Sequence, residues 1–175
     1  MAAVPSASPV NLFNPSGGTV FFNGGTQAIS THSSNNFYNV TIGGTTNTKS
    51  ARSNLDINGN LSISSATLDM YASEDNTLDL EGDLTLASSG TFTAQGGSHN
   101  VGGDWDDANG TFQASEGTVT LSGSSKDITT GGSNYFFNLE INSSGTKTAT
   151  TNLDIDGVFN LTAGTFDAGS TSIDI

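Results

Sequence analysis

The chain has 175 residues, of which 33% are hydrophobic, and 17 acidic side chains against four basic ones give a formal net charge of −13. That balance argues against a nucleic-acid or anionic-membrane partner, which would need a basic stripe, and no apolar run approaches the ~20 residues of a membrane-spanning helix. With no cysteine, stability must come from packing and backbone hydrogen bonds.

The first residues, Met1-Ala2-Ala3-Val4-Pro5, lack the basic start and apolar run of a secretory signal. Residues 1–17 read as an N-terminal segment with part of a coil. Val10-Asn11-Leu12-Phe13 in particular parallels Asn109-Gly110-Thr111-Phe112. From Gly18 onward, short runs alternate apolar and polar side chains, as in Leu55-Asp56-Ile57, Leu78-Asp79-Leu80, Leu84-Thr85-Leu86, Val119-Thr120-Leu121 and Leu139-Glu140-Ile141. Such alternation marks half-buried strands. Clusters such as Ser88-Ser89-Gly90 and Asn142-Ser143-Ser144-Gly145 punctuate the runs as turns. Nowhere does a 3.6-residue period persist long enough for a helix.

Two periods organise these runs. The longer one repeats residues 18–42 as 117–141, with 11 of 25 positions identical. After the loss of one residue the match continues, Asn54-Leu55-Asp56-Ile57-Asn58-Gly59 returning as Asn152-Leu153-Asp154-Ile155-Asp156-Gly157. A 99-residue repeat therefore spans 18–116, with a partial second copy at 117–175. The shorter period is a glycine step before an apolar residue, at Gly59-Asn60-Leu61, Gly82-Asp83-Leu84, Gly103-Asp104-Trp105 and Gly157-Val158-Phe159. Spacings of 20-odd residues are those of a solenoid coil. Coil starts are expected near Gly18, Phe37, Leu55, Thr77, Ser98, Gly117, Phe136, Leu153 and Thr171. The expected fold is all-β: residues 18–175 form one right-handed parallel β-solenoid of about eight to nine coils of 17–22 residues. A β-sandwich is the alternative, but a sandwich gives no reason for equivalent motifs to recur in every coil.

The phrases Gly103-Asp104-Trp105, Gly110-Thr111-Phe112-Gln113-Ala114, Gly117-Thr118-Val119-Thr120-Leu121-Ser122-Gly123, Phe137-Asn138-Leu139-Glu140-Ile141 and Gly164-Thr165-Phe166-Asp167-Ala168-Gly169 give the chain a resemblance. It resembles the long "beta strand repeat" surface proteins of bacteria, similar in kind to filamentous haemagglutinin and autotransporter-passenger β-helices. The resemblance implies a secreted, surface-displayed rod for adhesion, matrix building or fibre formation, and it supplies no catalytic residues to carry over.

No zinc-ligand spacing or nucleophile elbow occurs, and both histidines, His32 and His99, read as surface turn residues. Stacking would turn the acidic residues into ladders, Asp56 with Asp79 and Asp83 with Asp104, where bridging Ca²⁺ would relieve like-charge repulsion. The calcium-solenoid nonapeptide is absent, which favours solvated carboxylates over a cofactor. Asp104, Asp106 and Asp107 around Trp105 form the one dense acidic cluster beside an aromatic, the feature a carbohydrate-binding or carbohydrate-cleaving β-helix would need. Trp105 nevertheless occupies the inward slot of Leu61, Leu84 and Phe159. Thr-x-Thr pairs such as Thr91/Thr93 and Thr118/Thr120 do not recur at one slot in successive coils, which disfavours ice binding. The function expected is therefore structural and non-catalytic: an extracellular adhesin segment or a self-assembling filament or matrix subunit. Its partners would be further copies joined head to tail through Phe13, Ile173 and Ile175, together with host or matrix glycans or proteins.

Overall fold

The structure, a computed structural model, describes residues 16–31, 36–45, 47–71 and 73–175. These form an all-β parallel solenoid of about seven turns, and the described residues contain no helix. Three sheet faces run along it, built from parallel strands of successive turns, with isolated bridges at Phe37 and Phe136. The first face stacks β1 (Thr19–Phe22), β3 (Asn39–Ile42), β6 (Leu61–Ser64), β9 (Leu84–Ala87), β12 (Trp105–Asp106), β15 (Lys126–Thr129) and the second half of the long β16 (Asn138–Ala149). The second stacks β5 (Leu55–Ile57), β8 (Leu78–Leu80), β11 (Ser98–Val101), β14 (Thr118–Leu121) and the first halves of β16 and of β18 (Phe159–Asp167), whose second half pairs with β16 on the first face. The third holds β2 (Gln27–Ile29), β4 (Thr48–Ala51), β7 (Thr67–Asp69), β10 (Thr91–Thr93) and β13 (Thr111–Gln113), and continues through Phe136 to the pair β17 (Leu153–Asp154) and β19 (Ile173–Asp174).

The alternation read from sequence explains the packing. On the first face the inward column runs Val20, Val40, Leu61, Leu84, Trp105, Ile128, Ala149, with steps of 20 to 23 residues. Leu80 and Leu84 are fully buried, whereas Asp79 points outward and Asp83 is part-exposed at a corner. Each apolar residue thus stacks on its counterpart one rung away, and the thin core needs only about two such residues per strand. Glycine recurs at the second-to-first-face corner for a steric reason. A Cβ on Gly82 would collide with Asn60 Oδ1 and the Gly59 carbonyl, and one on Gly103 with Asp83 Oδ1 and the Gly82 backbone.

The coil count differs from the sequence expectation, about seven turns against eight to nine, and the internal repeat explains why. The chain visits the faces in the order first, third, second. Val20 lies on the first face, but its repeat equivalent Val119 lies on the second. Ile29 moves from the third face to the first as Ile128, and Leu55 from the second to the third as Leu153. Ninety-nine residues therefore span four turns and two faces of a fifth, so the second copy is rotated by one face. The steps Gly18 to Phe37 and Gly117 to Phe136, expected to be whole coils, each cross only two faces.

Candidate functional site

The corner between the second and first faces concentrates the polar side chains. Asn60 N–H donates to Asn39 Oδ1 at 2.8 Å, Asp83 N–H to Asn60 Oδ1 at 2.9 Å, Asp104 N–H to Asp83 Oδ1 at 2.8 Å, and Asp127 N–H to Asp104 Oδ1 at 3.0 Å. One side-chain oxygen per rung thus accepts the amide of the next rung, so that a backbone donor lost to the sheet ladder at the bend is satisfied. Lys126 Nζ lies 3.6 Å from Asp83 Oδ1 and 3.9 Å from Asp104 Oδ1, part-exposed, and offsets their mutual repulsion. The motif recurs where the repeat puts it, one face on, with Val158 N–H donating to Asn138 Oδ1 at 2.9 Å.

The four carboxylates with calcium-bridging spacing are brought together in pairs. Asp56 and Asp79 are in register, as Asp83 and Asp104 are at the corner. Burial first, then the charges of Asp79 and Glu81, push the Asp56 carboxyl above its ordinary value. Among the described residues no group of three or more His, Cys, Asp or Glu side chains is placed to hold a metal ion. We expect millimolar CaCl2 to raise the melting temperature no more than NaCl of equal ionic strength, because screening alone relieves a two-carboxylate ladder. A calcium-specific rise in differential scanning calorimetry would show bound metal by linkage.

The acidic cluster around Trp105 is dispersed by the fold. Trp105 is fully buried, edge-on to Phe112 at 4.8 Å and tilted on Phe136 at 5.0 Å, so it presents no face to a sugar. Its indole Nε1–H donates to Asp107 Oδ2 at 2.9 Å, and Asp107 Oδ1 accepts from Gly131 N–H at 2.7 Å. Burial raises the Asp107 pKa against the pull of these hydrogen bonds. Asp104 belongs to the corner ladder. The second face carries two shallow grooves, one of about 270 Å³ lined by Thr118, Asn138, Glu140 and Asn160 among others and one of about 370 Å³ lined by Thr77, Asp79, Ser98, Asn100 and Thr120 among others.

His99 is not a turn residue. It occupies the inward column of the second face between Leu78 and Val119, buried against the edge of Phe92. Its Nδ1 accepts the Leu78 N–H at 3.2 Å and its Nε2–H donates to the Ala94 carbonyl at 2.7 Å, which fixes the neutral tautomer. Burial lowers its pKa to about 4. Because the folded value lies below the unfolded 6.5, stability is intact above pH 6.5 and falls as pH drops toward 4. At pH 5 the loss amounts to about 2 kcal/mol. His99→Leu should remove this increment. Urea titrations at pH 7.5 and pH 5 should therefore show the parent losing about that much more than the variant, and equal losses would contradict the buried neutral imidazole. His32 and Phe13 lie outside the described residues.

Two buried lysines also escape sequence reading. Lys49 is fully buried and its Nζ donates to the Gly24 carbonyl at 2.8 Å and the Gly25 carbonyl at 2.9 Å. Lys147 is its repeat equivalent, in Thr146-Lys147-Thr148-Ala149 against Thr48-Lys49-Ser50-Ala51. Lys147 is equally buried, yet its Nζ has no hydrogen-bond partner. Burial lowers its pKa to about 8, with Asp104 opposing and the in-register Lys126 reinforcing the fall. The shared repeat position was the signal available in the sequence.

A scan against protein-family models finds no match, and searches of curated proteins and of solved structures likewise find none.

Proposed function

We propose that this chain is a non-catalytic structural rod of an extracellular or cell-surface protein, serving as an adhesin segment or as a filament or matrix subunit. The observation that carries the reading is the use to which its polar groups are put. The corner carboxylates, Trp105 with Asp107, His99 and Lys49 are all bonded between or within rungs, where they hold the stack together. The phrases resembling bacterial surface repeats and a strongly acidic exterior, which keeps a β-rich chain soluble, support the same reading. Antibody labelling of intact producing cells tests it: we expect surface staining that external protease removes. Staining seen only after permeabilisation would overturn the location and with it the adhesin role.

The groove around Asp79 and Asn100 on the second face favours a second reading, carbohydrate binding without cleavage. Its threonine, serine, asparagine and aspartate side chains suit sugar hydroxyls. A glycan array tests this, with Asp79→Ala and Asn100→Ala expected to abolish any positive signal.

A further inference from the structure

The inward column of the second face runs Leu55, Leu78, His99, Val119, Leu139, so that one imidazole interrupts an apolar stack in the middle of the rod. The ring ties three segments together. It belongs to β11, its Nδ1 accepts the Leu78 N–H of β8, and its Nε2–H holds the Ala94 carbonyl just after β10. On the outer side of the same two strands, Asn100 Nδ2 donates to Asp79 Oδ1 at 2.8 Å across the seam. Those two side chains belong to the groove whose lining also includes Leu78 and His99. The groove and the buried ring thus share one pair of strands.

A proton added to His99 reverses a hydrogen bond. An imidazolium has two N–H donors and no acceptor, so Nδ1 would turn a donor toward the Leu78 donor, inside a column that offers no counter-charge. The elements packed around the ring supply none. Leu78 on β8, Phe92 on β10 and Val119 on β14 are apolar, Asp79 points outward from β8, and Asp75 and Glu116 lie exposed in adjoining turns. Asp56 and Asp107 act in the opposite sense. The fold raises both of their pKa values, so acid that protonates them favours the folded state.

We propose that the β8–β11 seam is an acid-operated catch: protonation of His99 parts these two strands and dismantles the groove above them, while rungs farther along the rod stay closed. As a control on ligand binding this rests on the carbohydrate-binding reading; the opening of the seam does not. The effect is local because each rung of a solenoid contacts only its neighbours.

Hydrogen exchange of the full chain, read as protection factors at pH 7.5 and pH 5, tests the proposal. On going to pH 5 the amides of β8 and β11 should lose about thirtyfold more protection than those of β4 and β15, the factor set by a pKa that falls from 6.5 to about 4 on folding. His99→Leu and His99→Gln should each abolish that difference. The glutamine keeps a donor and an acceptor but does not titrate, so it decides the matter if the leucine variant fails to fold. Undiminished protection at pH 5, a loss spread evenly along the rod, or the same local loss in a folded His99→Gln variant would overturn the proposal. Seam opening together with a silent glycan array would defeat the carbohydrate reading and leave the catch standing. Glycan binding without seam opening would defeat the catch alone.

Discussion

Leu84→Asp should unfold the middle of the rod. Leu84 has no exposed surface and stacks between Leu61 and Trp105 in the inward column of the first face. The substitution removes buried aliphatic packing, which alone costs about 2–5 kcal/mol, and puts an unpaired carboxylate among apolar side chains, which costs several more. Raising that carboxyl's pKa limits the penalty but does not remove it. Because each rung of a solenoid contacts only its neighbours, the damage should be local. Hydrogen exchange should lose protection first in β6, β9 and β12, while β1 and β18 keep theirs. A variant that melts like the parent would mean that the column has been assigned to the wrong residues.

Opposite signs are expected at two residues that the repeat makes equivalent. Lys49→Met removes two charge-assisted hydrogen bonds to the Gly24 and Gly25 carbonyls and leaves those acceptors unpaired, a loss of about 3 kcal/mol. Lys147→Met removes a buried ammonium with no hydrogen-bond partner and replaces it with a side chain of similar length, a gain of about 1–3 kcal/mol. The gain has a pH signature. Folding lowers the Lys147 pKa from 10.5 to about 8, so the parent's handicap is absent above pH 10.5, grows as pH falls toward 8, and is complete below it. Denaturant titrations at pH 7 and pH 10.5 should show Lys147→Met ahead at the first and level at the second. If both variants lost stability at pH 7, Lys147 would have a partner comparable to that of Lys49.

The fold was legible because two independent signals agree. Period-two runs such as Leu78-Asp79-Leu80 fix which side chains point inward, and the Gly82 and Gly103 steps fix where each turn bends. The stacking of Asp56 on Asp79 followed directly. What sequence could not give was the phase between the two periods. The long repeat invites the assumption that equivalent residues share a face, as the coil starts expected at both Gly18 and Gly117 require. His99 looked like a turn residue because its neighbours Ser98 and Asn100 are polar. In a strand those neighbours point outward and the histidine between them points in. The buried lysines were hidden for a similar reason, since polar residues flank Lys49 and Lys147, and nothing local distinguishes an inward ammonium held by turn carbonyls from a solvated one.

The absence of cysteine makes the register directly measurable. In the structure Thr120 lies beside Asn100 on neighbouring strands of the second face, at the ~4.8 Å spacing of paired strands that a disulfide can bridge. Were the 99-residue repeat a whole number of turns, Val119 would stand above Trp105 and Thr120 above Asp106, on the first face. Two double variants separate these arrangements: Asn100→Cys with Thr120→Cys, and Asp106→Cys with Thr120→Cys, each oxidised in the folded state and assayed by non-reducing electrophoresis and peptide mass spectrometry. The first pair should cross-link nearly completely and the second should not. Efficient cross-linking of the Asp106 pair with none at Asn100 would contradict both the seven-turn register and the one-face rotation of the repeat.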